Sequence, residues 1–437
     1  MKVKINIVGG GLAGSEAALS LAEKGIEVTL YEMRPKVKTD VHQTGDFAEL
    51  VCSNSLKSVE LTNASGLLKE EARMLGSILL EIAERHRVPA GKAFAVDRKT
   101  FSREVTERIE SSPYIHVVRE EVKEIDLNDE GTLWIIATGP LSSPAFEKWL
   151  SGLFGEDLFF FDALSPIVAA DSIDYRRCFV GDRYGKGSGD YLNCPLDKET
   201  YERFWNELVN AQVAPIENFS DKLLFDRCQP VEEIAKTGID ALRYGPMKPV
   251  GLIDPKTGSE PYAVVQLRKE NKEGTLYNLV GFQTRLKWGE QKRVFRIIPA
   301  LEHAEFVRYG VMHRNTYLNS PKILNRDLRS KGYPNLFFCG QITGLEGYVE
   351  AITSGRFVAL NVMELVKTGS TFYLPEKTML GALINHITVS GRVPLSPVYA
   401  NYGLLSPVKA KGKRERNLKK AERAIEELKK FLKERGF

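Results

Sequence analysis

The chain has 437 residues, 43% of them apolar and 27% charged; this is the composition of an ordinary soluble globular protein, and the length suggests two or three domains. Its five cysteines, Cys52, Cys178, Cys194, Cys228 and Cys339, form no C-x-x-C pair, which argues against a thioredoxin-like redox motif and a cysteine-rich zinc site and fits a reducing cytosol. The net charge of +4 hides an asymmetry: Lys409 to Phe437 carries 12 basic and 5 acidic residues, the remainder 49 and 52, so a basic tail on a near-neutral body suggests an anionic partner.

The N-terminus runs straight into a β-type run at residues 3 to 8, with no leader-like segment before it. No apolar stretch approaches the roughly 20 residues a membrane helix needs, so no membrane partner and a cytoplasmic location are expected. GGGLAG follows at 9 to 14, then a helical stretch closed by Gly25 and a second strand, IEVTLYE, ending at Glu32. Residues 66 to 86 predict one long helix, with Leu67, Leu68, Ala72, Leu75, Ile78, Leu79 and Ile82 on a single face. A helix is expected over 101 to 110, and strands over 114 to 119 and 132 to 137, the last leading into ATGP.

From about residue 151 the β-α alternation stops. Short mixed segments rich in Pro and Gly read as an inserted α+β domain at 151–324. Near residue 334 the first pattern resumes with PNLFFCGQITG and a helix to about 367. The expected fold is therefore α/β: a discontinuous Rossmann-like domain over 1–150 and 325–370, interrupted by the insertion. A C-terminal segment at 371–437 follows, in which Leu418, Ala421, Ile425, Leu428 and Leu432 recur at helical spacing and predict a docked basic amphipathic helix.

Gly9-x-Gly11-x-x-Gly14 lies between strand and helix, and Glu32 ends the next strand. In that setting the glycines permit a tight turn, close approach of backbone to a pyrophosphate, and close packing of helix on strand. The helix N-terminus favours the phosphate charge, and the acidic side chain can accept from ribose hydroxyls. The expected dinucleotide site is Gly9, Gly10, Gly11, Leu12, Ala13, Gly14 and Glu32. FAD is favoured over NAD as the bound dinucleotide. Thr138 and Gly139 lie in an ATG turn like the one that two-domain flavoproteins place over the cofactor. Phe337-Phe338-Cys339-Gly340-Gln341 resembles their second FAD motif, with Gln341 where many carry Asp. Tyr348, just beyond, is placed to stack on a flavin or a pterin, and Glu350 is a candidate to bind the pterin or cap the helix.

GGGLAGSEAA, ELVCSNSLKS, GPMKPVGL, VGFQTRLKWGEQKRVFRIIP, RYGVMHRNTYLNSP and CGQITGLEGYVEA together resemble the TrmFO family, over nearly the whole chain from Lys2 to about Tyr402. One small departure is Ala351, where a Ser is expected. The resemblance implies a bacterial FAD- and folate-dependent methyltransferase acting on a tRNA T-loop uridine. A methylene group would pass from 5,10-methylenetetrahydrofolate by way of reduced FAD to C5 of uracil, with NADH or NADPH as reductant. A related, larger flavoprotein family that modifies the wobble uridine carries a long C-terminal region for which this chain lacks room.

Uracil C5 is a poor nucleophile until a thiolate adds at C6, and the C5 proton must later go to a base. Cys52 precedes Ser53, Asn54 and Ser55, residue types that favour a helix N-cap and with it a depressed thiol pKa. Cys228 sits beside Arg227, and Pro230-Val231-Glu232-Glu233 reads as a helix start. The resemblance makes these the two functional cysteines; the expected order is Cys228 as nucleophile and Cys52 as its partner or base. Cys178, next to apolar residues, reads as packing, Cys194 reads as structural, and Cys339 lies at the strand end of the second FAD motif, where a small residue is needed. Six scattered histidines show no metal-ligand spacing. Arg285, Lys287, Lys292, Arg293 and Arg296, with Trp288 among them, form a basic segment suited to RNA, since cations contact phosphates and a ring stacks an extruded base. Two other readings carry forward: the same chemistry on ribosomal RNA, and a flavin-bound RNA-binding or redox module without transferase activity.

Overall fold

The computed structural model describes residues 3–39, 41–51, 53–155, 158–163, 165–185, 189–214, 229–269, 274, 276–310, 312–388 and 398–436. A five-stranded parallel sheet forms its first layer, in the order Leu336–Phe338, Thr132–Ile136, Lys4–Val8, Val28–Tyr31, Ile115–Val118. Strands from before and after the inserted segment thus lie in one sheet, which places the second flavin-type motif beside the first.

Small residues decide how the layers meet. Helix Leu12–Glu23 is buried along Leu12 to Ala22, and the late helix Tyr348–Thr368 crosses it. A Cβ on Gly355 would lie 2.3 Å from the Ala13 carbonyl oxygen, so glycine is what permits the crossing. Residues 66 to 86 form two helices rather than one, Ala64–Met74 and Ile78–Arg85. Gly76, at φ +79°, breaks the run. The buried Glu16 carboxylate then starts the second helix by accepting from the Ile78 and Leu79 amides at 3.0 and 2.8 Å. Apolar periodicity continues through the break, which is why it reads as a single helix.

A six-stranded antiparallel sheet, ordered Phe179–Val180, Tyr191–Leu196, Ala263–Lys269, Leu276–Leu279, Ile167–Ala169, Phe306–Arg308, carries the second hydrophobic cluster, which spans Val168 to Ala304. Strands Leu158–Ala163 and Met312–Tyr317 pair antiparallel as the chain leaves and returns. Tyr317, Leu318, Ile323 and Leu324 already pack in the first cluster, ahead of the expected boundary at 325. Phe372, Leu374, Met379 and Leu383 pack there too, so residues beyond 371 share that core.

Helix Lys413–Arg435 docks through Ala421, Ala424 and Leu428, with Ile425 and Leu432 partly buried against the same cluster. Leu418, expected on the docked face, is 39% exposed. No helix among the described residues is long and apolar enough to cross a membrane.

Candidate active site

The glycine turn is built as its sequence requires. Gly9 has φ +101°, and a Cβ there would meet the Ala137 carbonyl oxygen at 2.6 Å. A Cβ on Gly14 would meet the Gly9 carbonyl oxygen at 1.9 Å, which forces glycine where helix packs on turn. Gly11 has no atom within 4 Å of the corresponding position, so backbone is open to a ligand there. Leu12 and Ala13 begin the helix. The cleft above is lined by Gly9, Gly11, Glu32, Arg34 and Thr138. Gly139, at φ +67°, likewise has open space where a side chain would be. An open glycine edge at a helix start, with a carboxylate opposite, fits the pyrophosphate and ribose of a dinucleotide.

Glu32 is 5% exposed and accepts from the Gly10 amide at 2.9 Å and from the Arg34 amide and Nε, each at 2.9 Å. Burial alone would raise its pKa; the bonds and charge of Arg34, with the Gly10 amide, outweigh it and hold the carboxyl below its ordinary value. Arg34 also reaches Glu49 at 3.2 Å. The carboxylate is thus ionised and fixed before any ribose arrives. Arg34 was not singled out in the sequence; its place two residues after the strand-ending acid was the available signal.

The second motif closes on the first. A Cβ on Gly340, at φ +81°, would lie 2.9 Å from the Ala13 Cβ, and the Gly340 amide donates to Ser354 Oγ at 2.8 Å. Gln341, half-buried, opens the turn Gln341–Thr343, whose other two residues are buried, and Tyr348 begins the long helix. The Tyr348 hydroxyl accepts from the Ser53 amide at 3.1 Å. This contact ties the chain adjoining Cys52 to the second flavin-type motif.

Cys52 and Cys228 themselves lie outside the described residues. Their neighbours are placed. Ser53 to Ser55 do not cap a helix: strand Ser55–Ser58 follows, and the next helix starts only at Ala64. Ser53 Oγ instead accepts from the Ser55 amide, and Asn54 Nδ2 donates to the Lys269 carbonyl at 2.9 Å, so these polar side chains serve turns and a contact with the second sheet. The helix-start reason for a depressed Cys52 pKa therefore falls away. Near Cys228 the expected helix start is present, as Val231–Lys236 with Pro230 before it.

The candidate carboxylate Glu350 lies beside Tyr348, in a charged cluster that the sequence did not show. Glu350, fully buried, accepts from Lys57 Nζ at 3.2 Å and from the Ala400 amide at 2.9 Å through one oxygen; its other oxygen has no hydrogen-bond partner among the described residues. Lys57 takes a left-handed backbone, φ +65°, at that point. Lys69, also fully buried, donates to the Leu56 carbonyl at 2.6 Å; burial pushes its pKa down to about 7, against the pull of Glu350. Lys57 was visible within ELVCSNSLKS, but only the fold shows which carboxylate it meets.

The basic segment divides. Arg285 is turned inward and paired with Glu233. Arg293 pairs with Glu207 and Glu290, Arg296 donates to the Ala304 carbonyl at 2.8 Å, and Lys287 Nζ donates to Gln212 at 3.0 Å. Lys292 is exposed and makes no ion pair among the described residues, and Trp288 is 63% exposed while stacked on Tyr309. Cys178 and Cys194 are buried with their sulfurs 3.6 Å apart, and burial raises the pKa of the Cys339 thiol. No cluster of metal-ligating side chains occurs among the described residues.

A family model described as glucose inhibited division protein A matches residues 4–370. A protein of Thermotoga sp. (strain RQ2) named methylenetetrahydrofolate--tRNA-(uracil-5-)-methyltransferase TrmFO is 60% identical over 98% of this chain and 99% of its own. A protein of the same name from Thermosipho melanesiensis is 55% identical over 98% and 99%. The solved structure of Aquifex aeolicus GidA superposes with a TM-score of 0.71 at 16% identity, covering 98% of this chain and 73% of that one, a likeness of fold.

Proposed function

The chain belongs to the TrmFO family, and from that premise we propose that it transfers a one-carbon unit from 5,10-methylenetetrahydrofolate to C5 of a tRNA uridine in the T-loop, with bound FAD and with NADH or NADPH as reductant. The observation that carries this reading is full-length identity of 60% to a relative of that name. The glycine turn, the fixed Glu32 carboxylate and the joining of Ser53 to Tyr348 support it. When bound, the flavin supplies the redox and one-carbon transfer chemistry.

The chain's own residues then have these parts. Gly9 to Gly14 and Glu32 hold the dinucleotide, with Thr138, Gly139, Gly340 and Gln341 along its length. Tyr348 offers a ring for stacking, and the unpartnered oxygen of Glu350 can accept from the amino-pyrimidinone edge of a pterin. Cys228 adds as thiolate to C6 of the uracil, which raises electron density at C5, and Cys52 serves as its partner or as base for the C5 proton. The cations around Lys292 bear the RNA backbone.

A tRNA T-loop carrying 5-fluorouracil tests the reading. It should trap a covalent protein–RNA adduct, because fluorine at C5 cannot leave as the proton does. Loss of the adduct in Cys228→Ala but not in Cys52→Ala would support this order, and the reverse would exchange the roles. No adduct in the wild type or either variant would overturn the mechanism. Transfer of label from methylenetetrahydrofolate into tRNA, and not into ribosomal RNA, separates the substrates.

A further inference from the structure

A second cleft, sharing no lining residue with the one above the glycine turn, opens at Lys57 and Ala400, the two residues that bond Glu350. It is walled by Lys57, Tyr399, Asn401, Lys413, Arg416 and Lys420, and it encloses about 650 Å³, within the roughly 300–1,000 Å³ of small-molecule sites. Four of its described lining residues are cations and none is Asp or Glu. Lys420 is committed to the wall, donating to the Tyr402 and Leu405 carbonyls at 2.6 and 2.8 Å. Lys413 and Arg416 are exposed, form no ion pair among the described residues, and stand one helical turn apart on helix Lys413–Arg435. The start of helix Ala64–Met74, whose N-cap Asn63 makes no side-chain cap bond, faces the same cleft. The basic tail read from the sequence is therefore one wall of a recess.

Lys57 belongs both to this recess and to the Glu350 pair, 3.2 Å from that carboxylate. The recess thus continues from the place where the proposed function seats a pterin. We propose that it receives the γ-linked glutamate chain of a polyglutamylated folate, an inference that rests on that seating. With a pterin edge at the fully buried Glu350, the recess reached past the partly exposed Lys57 gives its glutamyl end a way to solvent. Each added glutamate brings one α-carboxylate, and an extended γ-glutamyl chain can match the one-turn spacing of Lys413 and Arg416. A recess of cations with an open mouth favours such a flexible polyanion over a single planar carboxylate, which would call for one bidentate arginine.

The test compares mono- and pentaglutamyl methylenetetrahydrofolate as substrates of the FAD-loaded, full-length enzyme. Two ion pairs, to the exposed Lys413 and Arg416, each modest, give a KM for the pentaglutamate about five- to tenfold lower than for the monoglutamate. In Lys413→Gln/Arg416→Gln this preference should vanish, with kcat and the monoglutamate KM unchanged. Both positions are exposed, and a melting temperature equal to wild type confirms that the fold is kept. Equal KM values in the wild type, or a preference that survives in the double variant, overturn the proposal. So does a double variant in which only the tRNA KM rises, since the recess would then hold RNA phosphates. Tyr348→Ala separates the underlying reading: it should raise the KM of both folates by one common factor, and no rise for the monoglutamate would overturn the pterin seating itself.

Discussion

The Ser53 amide donates to the Tyr348 hydroxyl at 3.1 Å, joining two stretches 295 residues apart in the chain. One belongs to the segment that holds Cys52, the other to the helix that follows the second flavin-type motif. Tyr348→Phe keeps the ring and deletes the acceptor. An amide left without its partner costs about 1–3 kcal/mol, enough to displace the segment rather than unfold the protein. Flavin content should stay at the wild-type level while kcat for methyl transfer falls by about tenfold or more. Stopped-time assays with label in the methylene group check this, and an unchanged kcat would detach the contact from the chemistry.

Glu32 organises the dinucleotide turn before a ligand arrives, through the Gly10 amide and Arg34. Glu32→Ala leaves Arg34, 3% exposed, without its nearest carboxylate. Arg34 keeps Glu49 at 3.2 Å, but its bonds to Glu32 and the acceptor of the Gly10 amide are lost, so the variant should lose stability by about 1–3 kcal/mol. It should also purify largely colourless, with flavin measured by absorbance after gel filtration. Retention of full flavin would show that the ribose does not depend on this carboxylate.

Glu71 is fully buried and accepts from the Met379 and Leu380 amides at 2.6 and 2.9 Å, starting helix Met379–Thr388. Burial raises its pKa from 4.5 to about 8, against those two amides. The sign follows from proton counting. Below 4.5 folded and unfolded chains both hold the proton; between 4.5 and about 8 only the folded chain does. The contribution of Glu71 is therefore complete at low pH and is lost as pH rises towards 8, at up to about 1.4 kcal/mol per pH unit. Glu71→Gln removes the titration and keeps an acceptor. Urea unfolding of both proteins at several pH values should give a stability difference that drifts across this window and is flat above it. A constant difference would mean that the two amides already hold the group ionised.

The crossing of helices at Ala13 and Gly355 supplies a steric prediction. Gly355→Ala would set a Cβ 2.3 Å from the Ala13 carbonyl oxygen, and neither helix backbone can yield alone. A loss of about 1–3 kcal/mol is expected, with weakened flavin retention because Ala13 belongs to the dinucleotide turn. Gly152, inside helix Pro144–Phe154 with no atom within 4 Å of its Cβ position, is the control. Gly152→Ala should gain about 0.5–1 kcal/mol. Thermal melts read both.

What could be read from sequence was local. The Gly9–Gly14 turn, the strand before it and the helix after it are specified by neighbours in the chain, so their positions follow from pattern. Strand Leu336–Phe338 was legible for the same reason and was assigned to the first domain, but its place beside Thr132–Ile136 came only with the fold. The break at Gly76 was overlooked because apolar periodicity runs through it: Gly76 and the N-cap Ser77 were a local signal, whereas the second acceptor, Glu16, lies some 60 residues earlier. The pairing of Lys57 with Glu350 was not legible, nor was the burial of Lys69, since a charged residue shows no periodicity that reveals its partner. Ser53 to Ser55 illustrate the converse: residue types that suit a helix cap equally suit turns before a strand, and the surrounding sheet chose.

The basic segment from Arg285 to Arg296 makes the last prediction, because its members differ in what they already bind. Lys292 is exposed and unpaired among the described residues, whereas Arg285 is held by Glu233 in a half-buried site with Glu232 beside it. A phosphate competes poorly for a guanidinium that would leave a carboxylate uncompensated. Lys292→Ala should therefore raise the tRNA KM about two- to fivefold and reduce the slope of log affinity against log salt by about 0.7–0.9, the loss of one phosphate contact, with no change in melting temperature. Arg285→Ala should behave the other way round, lowering the melting temperature while leaving the salt slope intact. Salt-dependent binding of a T-loop hairpin and thermal melts of the two variants separate these roles. A salt slope altered by Arg285→Ala and untouched by Lys292→Ala would mean that RNA draws the arginine out of its ion pair, and that the segment binds by rearrangement rather than through the cation already free.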